Sequence, residues 1–136
     1  MLEVIITLNE IRIAAAVIGT AICQYIGGFD GLLEALVIFS VIDYITGVFC
    51  AINERTLSSS IGFKGIMQKV LIFLLVAIAN IVDARIIGED KLLRTAVIFF
   101  YLSNEGISIL ENAARLGLPI PDKLRDILHQ LRQEKK

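Results

Sequence analysis

The sequence predicts an all-α integral membrane protein with about four transmembrane helices, three being the rival count, followed by an amphipathic C-terminal helix. Three observations lead there. The 136 residues are 56% hydrophobic, above the roughly 45–50% of soluble domains, and the mean hydropathy is +0.75. Four apolar stretches approach the ~20 residues that cross a ~30 Å hydrocarbon core. Within those stretches the polar residues recur at offsets of three and four, the spacing of one helix face. A chain of this length makes one unit: a transmembrane helical domain over 1–118, then a charged tail over 119–136.

The first span covers about Ile11–Tyr25 and carries a small-residue stripe at Ala16, Thr20, Cys23, Gln24 and Gly27. Glu3 and Glu10 stand where a cleavable signal would be basic, so this stretch is expected to remain in the mature protein. Gly27–Gly31 reads as a turn. The second span, Leu32–Ile52, places Ser40, Asp43, Gly47 and Cys50 on one face. Asn53–Gly65 reads as a polar loop rather than an element, because serine, threonine and glycine dominate it. The third span runs Ile66–Ile87. Its greasiest part, Val70–Ile81, is short, so spanning relies on Lys69 and Arg85 reaching opposite interfaces. After a turn at Gly88–Lys91, the fourth span runs Leu92–Leu116, with Arg94, Tyr101, Glu105, Ser108, Asn112 and Arg115 near one face. Gly117 and Pro119 stop it. In the tail, Leu124, Ile127, Leu128 and Leu131 form an apolar face, suited to a membrane surface or to other copies of the tail.

Charge and residue chemistry exclude much. A formal net charge of −1, with scattered bases, gives no nucleic-acid surface. Cys23 and Cys50 lie in apolar stretches and read as small buried hydrophobes. The single histidine, His129, is in the tail, so no metal site is expected, and neither is a cofactor or an enzymatic constellation. With four spans, ten of the thirteen bases share the side of both termini and the Asn53–Lys69 connection. The positive-inside rule then places both termini in the cytoplasm.

The acids and amides inside the spans are the candidate functional residues. A bare charge at the bilayer centre costs roughly 2.5–3.5 kcal/mol on insertion scales, so each needs a partner or water. The candidates for helix association or pore lining are Ser40, Asp43, Thr46, Gly47, Asn80, Asp83, Asn104, Glu105, Ser108 and Asn112. Ser40, Thr46, Asn80 and Ser103 suit interhelical hydrogen bonds, worth ~0.6 kcal/mol on average. For Asp43 and Glu105 several fates stay open: pairing with Arg94 of a neighbouring helix, protonation, or facing water in an oligomer.

Four segments then occur in order: Asp43-Tyr44-Ile45-Thr46-Gly47; Ser58–Gly65 with Gly62, Lys64 and Gly65; Asn104-Glu105-Gly106 with Glu111-Asn112; and Gly117-Leu118-Pro119-Ile120-Pro121. Together they resemble the phage-lysis and toxin-secretion holin family of Gram-positive bacteria and their phages, over about Leu36–Lys135. The resemblance implies a small, non-enzymatic protein of the bacterial cytoplasmic membrane that oligomerises and opens lesions for an endolysin or a large toxin. It implies no catalytic role for any motif residue. By composition and the count of bases, Gly62, Lys64 and Gly65 are expected in a cytoplasmic loop. The rival classes are a small ion channel or transporter subunit, and an antiholin or structural membrane assembly protein.

Overall fold

The computed structural model describes residues 1–88 and 90–133, and among these every regular element is helical. Helix α1 spans Leu2–Ile26, α2 Gly31–Asn53, α3 Ser59–Val82, α4 Leu92–Arg115 and α5 Asp122–Gln133. A π turn, Asp83–Ile87, extends α3. Three helical segments, Leu2–Ile26, Gly31–Asn53 and Ser59–Ile87, are long and apolar enough to cross a membrane. Helix α4 has a similar length but a more polar composition, and its polar groups face its neighbours: Arg94, Glu105 and Asn112 are all buried.

Local chemistry sets the ends. Gly27 closes α1 in the left-handed region at φ 93°, and the Gly28 N–H reaches back to Cys23 O at 2.7 Å, a Schellman cap that glycine adopts without a Cβ penalty. The Asp30 carboxylate starts α2 by accepting the Leu33 N–H at 3.0 Å. The expected loop over Asn53–Gly65 is corrected: α3 begins at Ser59, because the Ser58 hydroxyl caps it by accepting the Ile61 N–H at 3.2 Å. The serine run that reads as a loop supplies a helix N-cap. The expected first span also lengthens toward the N-terminus, to Leu2.

Side-chain pairs give the topology. Asp30 meets Arg94 near the starts of α2 and α4, and Glu54 meets Arg115 at their ends, so these helices run parallel. Lys69 of α3 meets both, and α3 returns antiparallel from the Glu54–Ser58 connection to the π turn at Asp83–Ile87. We call these the loop side and the turn side. The apolar core, Leu33, Leu36, Ile72, Val76 and Ile98, joins α2, α3 and α4. Helix α1 contributes no buried residue. Large apolar side chains cover the outside of α1, α2 and α3, a surface that suits lipid and would be a liability in water.

Candidate functional site

Where α2, α3 and α4 meet, Lys69 Nζ donates to Asp43 Oδ2 and to Glu105 Oε2. One ammonium thus bridges two carboxylates from two other helices. Glu105 is 5% exposed. Asp43 Oδ1 also accepts from Asn112 Nδ2 at 3.2 Å, and the same amide donates to Thr46 Oγ1 at 2.9 Å. Thr46 binds its own helix as well, donating to Ile42 O at 2.9 Å. The Cys50 thiol donates to Asn112 O at 3.3 Å. The set joins α2 to α4 through Asp43, Thr46 and Cys50, all at Asn112, and draws its cation from α3.

The three charges share a depth. Asp43 lies ten residues before the end of α2, Lys69 ten after the start of α3, and Glu105 ten before the end of α4. At ~1.5 Å per residue each is ~15 Å along its helix from the loop side. The expectation that Lys69 reaches an interface is therefore corrected. Extending α3 back to Ser59 moves this lysine from a helix end to a helix middle.

A cavity of about 440 Å³ opens beside the triad. Asp43 and Lys69 line it, with Tyr44, Gly47, Gly62, Lys64, Gly65, Gln68, Ser108, Glu111 and Asn112. Three of the four motif segments thus converge on one vestibule. The steric reason for a glycine is clearest at Gly65. Tyr44 lies across the first turns of α3 and its hydroxyl donates to Gly62 O at 3.3 Å. A Cβ at Gly65 would stand 3.1 Å from the Tyr44 ring, and one at Gly62 3.4 Å from its hydroxyl oxygen. Gly106 similarly admits the Phe39 ring, 3.4 Å from where its Cβ would be. Gly62, Lys64 and Gly65 sit on α3, not in a loop.

A second polar cluster closes the turn side. Arg94 is fully buried, and its carboxylate partner is Asp30 rather than Asp43 or Glu105, which Lys69 takes instead. Its Nε donates to Ile26 O at 2.6 Å, its Nη2 to Gly28 O at 2.9 Å and its Nη1 to Asp30 Oδ2 at 2.7 Å. Asn80 donates to Tyr25 O at 2.9 Å, and Lys91 to Gly27 O. The Arg94 guanidinium, with help from the Leu33 N–H, holds the Asp30 carboxyl below the usual aspartate range. Asp83, 2% exposed, accepts the Leu93 and Arg94 N–H groups at 3.0 and 2.8 Å. It caps α4 from across the turn, where a carboxylate also suits the positive end of the helix dipole. At the loop end Arg115 grips Glu54 with two bonds, 3.0 and 2.7 Å, which lowers the Glu54 carboxyl.

The structure thus sorts the predicted residues. Asp43, Thr46, Gly47, Glu105, Ser108 and Asn112 gather at the triad and its vestibule. Asn80 and Asp83 belong to the turn-side cluster. Ser40 is buried and its hydroxyl has no partner among the described residues. Ser103 bonds its own helix at Phe99 O rather than another helix. Asn104 is half-buried. Of the tail face, Leu124 is half-buried and Ile127 exposed, while Leu128 and Leu131 lie outside the described side chains. The residues that sequence reasoning misses are Lys69 and Asp30. Lys69 does lie three and four residues from Ile66 and Phe73, inside the apolar period, and that is the available signal.

The chain is similar to known proteins over most of its length. The sequence model of the bacteriophage holin family matches residues 20–133. A probable holin of Bacillus phage phi105 is 36% identical over 110 residues, 81% of each chain. An uncharacterized protein of Listeria monocytogenes is 48% identical over 102 residues, 75% of this chain and 72% of its own. An uncharacterized protein of Clostridium perfringens is 39% identical over 128 residues, 94% of this chain and 97% of its own. No solved structure matches.

Proposed function

The chain belongs to the bacteriophage holin family, and from that premise we propose that it is a holin of the bacterial cytoplasmic membrane, which oligomerises and opens lesions that let an endolysin, or a large toxin, leave the cell. Family membership and the three apolar helices make it a membrane protein. In this reading α4 is the fourth span, and the termini and the Glu54–Ser58 connection face the cytoplasm, where the bases are densest.

The observation that carries the reading is the sheltered polar seam. Asp43, Lys69, Glu105 and Asn112 satisfy one another inside the α2–α3–α4 unit, while its outer surface is apolar. A chain folded this way can accumulate in lipid without harm. Interhelical polar bonds in membranes are individually weak, so many copies can trade them for contacts that turn the seam to water. An open lesion is then lined by the residues that are paired in the closed chain.

The test is expression in bacteria with a co-expressed endolysin that lacks its own export signal. We expect growth to a set time, then abrupt loss of membrane potential and lysis. Entry of dyes of rising size should extend to protein-sized solutes. Indefinite viability with the endolysin retained inside overturns the reading, and leakage confined to small ions supports a channel instead.

A further inference from the structure

The triad leaves a charge unbalanced. Two carboxylates share a single ammonium, so the fully ionised set carries −1 near the middle of the three helices. The fully buried cation of the same helical unit, the Arg94 guanidinium, is committed to the turn-side carbonyls and Asp30. A net charge in a weakly polarisable interior is costly, and two carboxylates facing one another across one cation disfavour joint ionisation.

Polar access to the triad is one-sided, since the second groove that reaches Lys69, between Val37, Val41, Val70 and Phe73, is apolar. The vestibule runs from the loop side to Asp43 and Lys69. On the turn side of the triad the three helices close through Leu33, Leu36, Ile72, Val76 and Ile98, of which Leu36, Val76 and Ile98 are 0% exposed. A solute arriving from the turn side meets this apolar layer.

We propose that the Asp43–Lys69–Glu105 triad is a proton-binding site, holding about one proton per chain between its carboxylates and exchanging it with the loop-side solution through the vestibule. The proton rests toward Glu105, because Asp43 already accepts from Asn112 as well as from Lys69. The other titratable and charged groups that face the site are Tyr44 and Cys50 from α2, Lys64 from α3 and Glu111 from α4. The inference rests on α4 crossing the membrane and is independent of lesion formation.

The test is infrared spectroscopy of the full chain in phosphatidylglycerol bilayers at neutral pH. We expect a protonated-carboxyl C=O band equivalent to about one group per chain. Glu105→Gln and Asp43→Asn should each abolish it, since either leaves a balanced one-to-one pair. Glu54→Gln should leave it unchanged, and Lys69→Met should strengthen it. Absence of the band in the native chain overturns the proposal, as does a band indifferent to both amide variants. A charge balanced by sodium or potassium instead would also show as no band, and likewise overturns it. For access, Ser108→Cys and Val76→Cys are made in a chain with Cys23 and Cys50 replaced by alanine. A membrane-impermeant thiol reagent should modify Ser108→Cys from the loop side alone. Modification from the turn side, or equal modification of Val76→Cys, overturns one-sided access.

Discussion

Lys69 shows how a residue's meaning depends on where its helix begins. A lysine at the edge of an apolar stretch reads as an interfacial anchor, and Val70–Ile81 has such an edge. The helix starts at Ser59, so the same side chain turns inward to two acids. Removing one partner of a buried ionic set leaves the others uncompensated, a loss of roughly 3–5 kcal/mol. Lys69→Met should therefore lower the midpoint of thermal unfolding in detergent far more than Lys64→Met, whose side chain only lines the vestibule. Equal shifts would show that the triad is not structural. Tyr44 and Gly65 make a second pair. With 3.1 Å between the ring and a Cβ at Gly65, Gly65→Val should cost about 1–3 kcal/mol by overpacking. In Tyr44→Ala the same change should cost much less, and a double-mutant cycle reads the difference. The acids are legible from sequence because they break an apolar period. The packing role of Gly62 and Gly65 is not, because nothing local names Tyr44, eighteen positions before Gly62, as the neighbour.

At the scale of elements, the helix ends carry as much information as the helix bodies. The turn at Gly27 and the stop at Gly117 are readable, since glycine with φ near +92° is a common way to end a helix. The cap at Ser58 is not, because an N-cap serine and a loop serine look alike in composition and differ only in whether the next residues continue as a helix. Asp83 stands in the sequence as a polar group inside a span, yet it works as the cap of the next helix, turned there by the π turn. Asp83→Ala should cost about 1–2 kcal/mol and raise amide hydrogen exchange in the first turn of α4, with the Glu105 region unchanged. Asp30 gives the turn side a pH dependence. Its folded carboxyl is held below the ordinary value of 3.8 by Arg94. The stabilisation is present above that ordinary value and is lost as pH falls through the lower folded one. The chain has no Trp, so a Phe29→Trp reporter beside the turn can follow it. Its fluorescence should hold steady from neutral pH down to the ordinary aspartate range and change only on further acidification. In the Asp30→Asn background that acid change should vanish.

On the scale of the whole molecule, the chain divides into a three-helix unit that holds the polar seam and a first helix attached at one end. Helix α1 buries no residue, and its polar ties to the rest gather at Tyr25, Ile26, Gly27 and Gly28. The family match begins at residue 20, near that end. Composition alone suggests four comparable spans. It does not show that three are joined through ionic and apolar contacts while the other buries no residue and makes its polar ties at its C-terminal end, because that depends on which faces meet. Removing residues 1–19 should therefore leave the α2–α4 unit folded in detergent, with an unfolding midpoint close to that of the full chain. Gly27→Val in the full chain should be the more damaging change. Its Cβ would fall 2.3 Å from Asn80 Oδ1 and 2.8 Å from Arg94 Nε, and its φ of 93° is strained for a β-branched residue. Arg94, buried and committed to this turn, would lose its carbonyl partners and keep only the Asp30 carboxylate. If the truncation unfolds the chain while Gly27→Val is tolerated, the body of α1 rather than its last turn carries the attachment.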